Sequence, residues 1–256
     1  MKNYGIVFGA AGLLGPIWAE SLAEKADKVF LVGLNLESDN SLQKLVKKYP
    51  GTFELVSQDL NSAKQLNSCK VISQYQYRYA IFSAGTDSVP NSHQENRELY
   101  QFPWETWERY VTDNIRIFVN CLDFFCARRT NPAFGVAIGS MYASISPNPN
   151  NYKHTSEMPE FLKHPGYSAS KSAIKAIVRQ YGSHYASQGL ILNILSPGVV
   201  ENNQPFWFKE NVLPQIPTNR FIDPIELIGC VDFLTSKSSN HLIGHELIFD
   251  GGYNLW

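Results

Sequence analysis

The amino-acid sequence predicts an α/β fold, a doubly wound parallel sheet between two helix layers, as one domain spanning residues 1–256. Three observations predict it. β-Rich runs alternate with amphipathic helical runs from end to end. Runs such as IVFGA and YAIFSAG are apolar on both sides, as strands covered on both faces must be. No internal repeat or low-complexity linker breaks the chain into parts.

The elements follow in order. YGIVFGA is a strand, PIWAESLAEKA a helix, KVFLVGL a strand and SLQKLVKKY a helix. TFELVSQDL and YAIFSAG add two strands. WETWERYVTDNIRIFVNCLDFFCARR has helical spacing throughout, and FGVAIGS returns to strand. GYSASKSAIKAIVRQYGSHYASQ is a long helix, LILNILSPG a strand, PIELIGCVDFLTS a helix and HELIFDGG the last strand. Two stretches rich in Pro, Asn and aromatics interrupt the rhythm, giving substrate loops at about residues 145–166 and 200–222. Both follow strands, on the side where open α/β sheets place their ligand crevice.

Composition narrows the function. The 22 basic and 23 acidic side chains leave a net charge of −1, with no basic stripe for nucleic acid and no like-charge block for a membrane surface. The N-terminal apolar run is too short to span a bilayer and enters a glycine loop rather than a cleavage site, so a cytoplasmic protein acting on a small molecule is expected. Cys69, Cys121, Cys126 and Cys230 form no CxxC pair or Cys/His cluster. No metal is expected, and the thiols are read as reduced and structural.

Gly9-Ala10-Ala11-Gly12-Leu13-Leu14-Gly15 joins the first strand to the first helix. Glycines there let the backbone approach a pyrophosphate, and the helix N-terminus supplies N–H groups and a favourable dipole. The turn therefore predicts a dinucleotide, NAD or NADP. At the end of the second strand, Gly33-Leu34-Asn35 stands where an acidic residue would bond the ribose 2′-hydroxyl of NAD. No Arg follows to hold the 2′-phosphate of NADP, and Asn35 can bond either ribose; the missing carboxylate tilts the choice toward NADP. Asp59 either accepts from the adenine amino group or caps a helix beginning near Asn61-Ser62.

Tyr167-Ser168-Ala169-Ser170-Lys171 opens the long helical pattern, and four-residue spacing puts Tyr167 and Lys171 on one face. A tyrosine with its ordinary pKa near 10 exchanges protons poorly at neutral pH. Lowering it by about 3 units takes roughly 4 kcal/mol; a close ammonium and a cationic nicotinamide both favour the phenolate, and the ammonium can supply much of it. YxxxK alone is common, but its company is specific. Ser140 ends the strand AIGS with a hydroxyl able to polarise a carbonyl. Asn114 places an amide mid-helix, where it is a neutral-to-poor choice. Ser196-Pro197-Gly198 closes a strand beside the predicted crevice.

GAAGLLG, Asn114, Ser140, YSASK, LSPG and the terminal IGHELIFDGG together resemble the short-chain dehydrogenase/reductase family over essentially the whole chain. The resemblance implies a Rossmann-like sheet, with Tyr167 as general acid in reduction and general base in oxidation. Lys171 would lower the tyrosine pKa and bind the nicotinamide ribose. Ser140 would orient the carbonyl, and Asn114 would hold a water in a proton relay. Implied cofactor contacts are Gly9, Ala11, Gly12, Leu13, Leu14, Gly15, Asn35, Asp59, Leu60, Ala84, Gly85, Tyr167, Lys171, Pro197, Gly198 and Val200. A homodimer or homotetramer is implied as well. The chain departs from the usual pattern in its GxxGxxG spacing, in Phe82-Ser83-Ala84-Gly85, in Glu201-Asn202-Asn203 after the PG, and in the 27 positions separating Ser140 from Tyr167.

The two loops offer Asn, Gln, His, Lys and aromatics, a mix suited to a polyhydroxylated ligand more than to an acyl chain. Phe206, Trp207 and Phe208 serve equally as a lid or a subunit contact. Tyr142, Thr155-Ser156, Met158-Pro159 and Asn203-Gln204-Pro205 resemble oxidoreductases of flagellin glycosylation and legionaminic-acid-type surface-sugar pathways. That resemblance implies a sugar or sugar-nucleotide substrate, with Tyr142, Asn203 and Gln204 as substrate contacts. A 3-oxoacyl-carrier-protein or general ketone reductase is the alternative, and a non-catalytic cofactor-binding regulator the next.

Overall fold

The computed structural model describes residues 2–87, 98–153 and 161–255. Seven strands form one sheet: β1 (Tyr4–Phe8), β2 (Lys28–Gly33), β3 (Phe53–Ser57), β4 (Tyr77–Phe82), β5 (Arg129–Ile138), β6 (Leu190–Pro197) and β7 (Glu246–Phe249). Their order is β3-β2-β1-β4-β5-β6-β7, and every neighbouring pair is parallel. The described helices are α1 (Gly15–Ala23), α2 (Asn40–Lys48), α3 (Ala63–Ser68), α4 (Lys70–Ser73), α5 (Trp104–Glu108), α6 (Asn114–Arg128), α7 (Pro165–Tyr185), α8 (Phe206–Val212) and α9 (Glu226–Leu234).

Alternation along each strand divides the core into two layers. In β1, Ile6 and Phe8 face one side, where Phe118, Leu122 and Phe125 of α6 and Ile174 and Val178 of α7 cover them. Val7 faces the other, beneath Trp18 and Leu22 of α1, Leu42 and Leu45 of α2, and Leu227 and Val231 of α9. A third, smaller cluster of Met141, Tyr142, Val212, Ile216, Phe221 and Tyr253 sits beyond the sheet and carries the residues that follow β5 and β6.

Strand order reverses between β1 and β4, which opens a crevice at their carboxyl ends. Backbone bonds stitch that edge: Gly9 N–H donates to Val32 O at 2.8 Å, and Ser83 and Ala84 N–H both donate to Phe8 O at 2.9 and 3.0 Å. The glycine turn and the segment after β4 are thereby held side by side.

Three elements differ from the sequence expectation. The long helix beginning at Trp104 is broken by a π-helical turn over Arg109–Asp113, so α6 begins at Asn114 itself. The stretch after β6 contains α8, whose seven residues are too few to print a helical period against flanking prolines. Two short helices, α3 and α4, occupy a connection with no clear periodic signal.

Phe125 is fully buried at the centre of the first layer. Phe125→Ala should destabilise the fold by about 3–5 kcal/mol through lost burial and a cavity. Urea unfolding should show a lower midpoint with an unchanged slope; a midpoint like that of the parent would contradict the assigned core.

Candidate active site

The glycine turn folds as its chemistry requires. Gly9 has φ 81°, and a Cβ there would lie 2.4 Å from Ala84 N. Gly12 has φ 93°, but a Cβ there would meet nothing within 4 Å, so the turn presents bare backbone to open space. Leu14, at the N-cap of α1, makes no side-chain bond to the first turn. That helix end fits a pyrophosphate.

A cleft of about 250 Å³ runs from Leu14 past Ser83, Gly85 and Thr86 to Ser140, Tyr167 and Lys171, with Pro197, Gly198 and Val200 on its far wall. Of the expected cofactor contacts, Leu14, Gly85, Tyr167, Lys171, Pro197, Gly198 and Val200 line it. Leu13 is exposed on the turn, while Ala11 packs on the second core layer and Ala84 on the first. Asn35 is exposed, in a left-handed conformation (φ 57°). Asp59 accepts from Asn61 N–H at 2.9 Å, and the cap of α3 is Ser62. Leu60 is buried in the core, leaving only its backbone to reach a ligand.

One cofactor-side residue was not legible in the sequence. A left-handed residue and a short 3₁₀ turn (Leu36–Ser38) after β2 bring Asp39 back to the glycine turn. Its Oδ2 accepts from Gly12 N–H at 2.8 Å, and its Oδ1 accepts from Ser41 and Leu42 N–H at the start of α2. A carboxylate thus stands beside the turn although none closes β2.

At the cleft's inner end, α7 lays Tyr167 and Lys171 one turn apart. Lys171 is buried and its Nζ donates to Ile138 O at 2.9 Å, tying the helix to the end of β5. Burial lowers its pKa to about 8. Ser140, two residues past Ile138, reaches the Tyr167 phenol with its hydroxyl and also accepts from Tyr142 N–H at 3.2 Å. Tyr167 keeps an edge on the cleft, yet its packing pushes the pKa well above the ordinary value, with the Asp87 carboxylate adding to the rise and the Ser140 bond opposing it. The sequence expectation of a phenol made acidic by Lys171 is therefore corrected for the ligand-free chain: desolvation outweighs the ammonium, whose Nζ lies 5.8 Å from the ring centroid.

Asn114 meets its neighbours through all four amide positions. Its Oδ1 accepts from Thr86 N–H at 2.6 Å and from Thr86 Oγ1 at 3.2 Å. Its Nδ2 donates to Thr86 O at 3.1 Å and to Ser170 Oγ at 3.0 Å. The side chain staples α6 to α7 and to the segment after β4, so a water held by this residue would be held by backbone.

A second cavity, about 510 Å³, opens above Ser140 and Tyr167, bounded by Tyr142, Tyr152, Asp87, Lys163, Asn202, Asn203, Gln204, Trp207 and Phe208 among others. Tyr142 and Asn203, two of the expected substrate contacts, line it. Gln204 lines it too, but its amide is committed to the loop: Nε2 donates to Val200 O at 2.6 Å and Oε1 accepts from Asn202 N–H at 2.8 Å. Thr155-Ser156 and Met158-Pro159 lie outside the described residues. Asp87 and Lys163 carried no motif and became visible only through the fold. Among the described residues no group of His, Cys, Asp and Glu could hold a metal, and no helix is long and apolar enough to cross a membrane.

A crevice that runs from the glycine turn to a tyrosine with a serine at its phenol suits hydride chemistry, and the protein is an NAD(P)-dependent oxidoreductase of CH–OH and C=O groups. It belongs to the short-chain dehydrogenase/reductase family: a family model described as enoyl-(acyl carrier protein) reductase matches residues 9–254. The chain is 26% identical to the D-arabinitol 2-dehydrogenase (ribulose-forming) of Scheffersomyces stipitis, over 98% of this chain and 93% of that one. It is likewise 26% identical to an NAD-dependent glycerol dehydrogenase of Listeria innocua, over the same shares. A short-chain dehydrogenase of Leptospira borgpetersenii with bound NAD⁺ superposes with TM-score 0.78 at 20% identity, covering 99% of this chain and 93% of that one. A structure from Agrobacterium tumefaciens with bound NADP gives 0.77 at 18% identity, covering 99% and 97%.

The start of α7 is seated by a buried histidine. His164 caps the helix: its Nδ1 accepts from Gly166 N–H at 2.9 Å, with Pro165 at the first helical position. Thr106 Oγ1 donates to Pro103 O at 2.7 Å, so at 3.1 Å it receives the proton on His164 Nε2. Phe102, Trp107 and Tyr110 pack around the ring. Only the neutral imidazole satisfies both bonds, and burial lowers its pKa below the usual value of about 6.5. Below that value the unfolded chain takes up the proton more readily than the folded one, so stability is lost as pH falls. His164→Asn retains a capping acceptor but does not titrate. Between pH 7.5 and 5.5 the parent's melting temperature should fall further than the variant's, at about 2–4 °C per kcal/mol for a chain of this size. Parallel curves would refute the assigned role.

Proposed function

We propose that the protein interconverts a secondary alcohol and a ketone on a polyhydroxylated small molecule, a sugar, polyol or sugar nucleotide, with Tyr167 as the proton-transfer group. The carrying observation is the placement of Tyr167: it forms a wall of both the cofactor-side cleft and the polar cavity above it, with Ser140 beside its phenol. A bound nicotinamide dinucleotide supplies or accepts the hydride. Ser140 orients the substrate oxygen, and Tyr167 gives it a proton in reduction or takes one in oxidation. Lys171 supplies positive charge behind the phenol, where a further cation at the cleft would help bring the phenolate within reach. Asn114 fixes the distance between α6 and α7 on which this geometry depends, and the relay implied by resemblance runs through its backbone.

The substrate class rests on the cavity lining. Asp87, Lys163, Asn202 and Asn203 beside Trp207 suit hydroxyl groups and a sugar ring, whereas an acyl chain would call for uniform apolar walls. The names of the arabinitol and glycerol dehydrogenase relatives agree with that class. A place in surface-glycan synthesis is the narrower form of the reading, supported by Tyr142 and Asn203 in the cavity. Assembly as a homodimer or homotetramer belongs to the same family-based reading.

For the dinucleotide, Asp39 supports NAD and reverses the tilt drawn from Gly33-Leu34-Asn35. Its carboxylate stands at the glycine turn, residues 34–43 include Glu37 and Asp39 but no Lys or Arg, and a 2′-phosphate there would meet carboxylate charge with no basic side chain of this segment to balance it.

Two measurements test this function. Tyr167→Phe should lower turnover by about 10²–10⁴-fold while dinucleotide binding, followed by tryptophan fluorescence, persists; undiminished turnover would remove the tyrosine from the chemistry. Asp39→Asn preserves an acceptor for the α2 cap but not the charge. It should shift the ratio of NADP to NAD affinity about tenfold toward NADP, a change of about 1.4 kcal/mol. An unchanged ratio would refute the preference for NAD.

A further inference from the structure

Within the polar cavity, Lys163 and Asp87 form an ion pair, Nζ to Oδ2 at 2.7 Å, with the lysine side chain 9% and the aspartate 38% exposed. The Lys163 ammonium also lies over the face of the Tyr167 ring, 4.6 Å from its centroid. Asp87 borders the cleft of Tyr167 and Lys171 as well as the larger cavity. A donor and an acceptor are thus fixed together on the substrate side of the reacting tyrosine.

We propose that the Lys163–Asp87 pair is a specificity-determining dyad that binds the hydroxyl on the carbon next to the reacting carbinol, so that the enzyme selects vicinal diols. This rests on the alcohol–ketone reading given above. When a carbinol oxygen lies between Ser140 and Tyr167, the adjacent oxygen falls toward the dyad, because Lys163 covers the same ring. A hydroxyl both donates and accepts, and so satisfies Asp87 and Lys163 together. An ether or carbonyl oxygen can only accept, and a carboxylate would confront the Asp87 charge. The pair is neutral as a unit, which fits an uncharged polyol or ketose. A hydroxyl placed there gains a charge-assisted bond to each member of the pair, and an analogue lacking it forgoes both.

The same geometry has an electrostatic consequence. The Asp87 carboxylate disfavours the Tyr167 phenolate, and Lys163 compensates that charge at close range. Losing the lysine should make proton removal harder, and losing the aspartate charge should make it easier.

The experiment compares trans-1,2-cyclohexanediol with cyclohexanol, which differ in the neighbouring hydroxyl alone, together with D-arabinitol. Initial rates of oxidation are measured for the parent, Lys163→Met and Asp87→Asn, with NAD and with NADP. The parent should favour the diol in kcat/KM by about 30-fold or more, and each variant should reduce that ratio about tenfold. The pH profiles for oxidation should move in opposite directions, alkaline for Lys163→Met and acid for Asp87→Asn, which a merely structural pair would not produce. A ratio unchanged in both variants, shifts of the same sign, or oxidation of cyclohexanol without preference for the diol would each overturn the dyad while leaving the alcohol–ketone reading intact. Absence of oxidation of any of the three alcohols with either dinucleotide would overturn both.

Discussion

The bond from the buried Lys171 ammonium to the Ile138 carbonyl sets the relation on which the site depends. It joins α7 to the end of β5 at a single point. Ser140 leaves the strand two residues later, and Tyr167 lies one helical turn before Lys171, so the placement of both hydroxyls follows from that contact. Asn114 supplies the second constraint by bonding Ser170 Oγ from α6 and Thr86 from the segment after β4. Three elements far apart in sequence are thereby held by side chains that cannot be exchanged for apolar ones without leaving buried partners unsatisfied. Farther along α7, Lys175 bridges to Glu246 of β7 at 2.5 Å, and Glu246 also accepts from Ser196 Oγ at 2.7 Å, so the other half of the helix is locked to the sheet too.

This arrangement places a cation where burial disfavours it. The lysine pKa falls to about 8 and the tyrosine pKa rises, so in the chain alone both groups are pushed toward their neutral forms. Desolvation accounts for both directions. The site is therefore one whose charge state responds to what enters the cleft: small changes in local charge act at short range and low screening. That sensitivity explains why a second ion pair so close to Tyr167 cannot be electrically indifferent.

Much of this was legible in the sequence because it is encoded locally. Apolar runs on both sides of a strand, a glycine turn after β1 and a Tyr–Lys pair at four-residue spacing each state their chemistry within a few residues. What escaped detection depends on the path of the chain. Asp39 lies six residues beyond Gly33, and only a left-handed Asn35 followed by a 3₁₀ turn brings its carboxylate to Gly12. Asn114 was legible as an amide out of place in a helix, but not as a residue following a π-helical turn with every amide position engaged. The desolvation that raises the Tyr167 pKa escaped for a related reason: spacing reveals a neighbouring charge, whereas burial is a property of the assembled core.

The polar cavity illustrates how such late-appearing features are supported. Its walls belong to segments with little secondary structure of their own, which would be poorly determined if they rested only on one another. They rest instead on the small apolar cluster of Met141, Tyr142, Val212, Ile216, Phe221 and Tyr253, beyond the end of the sheet. Tyr142 belongs to both: it is buried in that cluster, its pKa is pushed up to about 12, and its hydroxyl lies 3.4 Å from that of Tyr152 on the cavity wall. Asn151 adds a bond from Nδ2 to Tyr253 Oη at 2.9 Å, and Gln215 donates to Asn151 Oδ1, so the turn at Asn151 is tied to the C-terminal segment. An apolar platform outside the main core thus lets the chain present hydroxyls, amides and one ion pair toward Tyr167 in fixed positions. Selection among polar substrates requires that order, because a hydrogen-bonding surface free to rearrange would accommodate any of them.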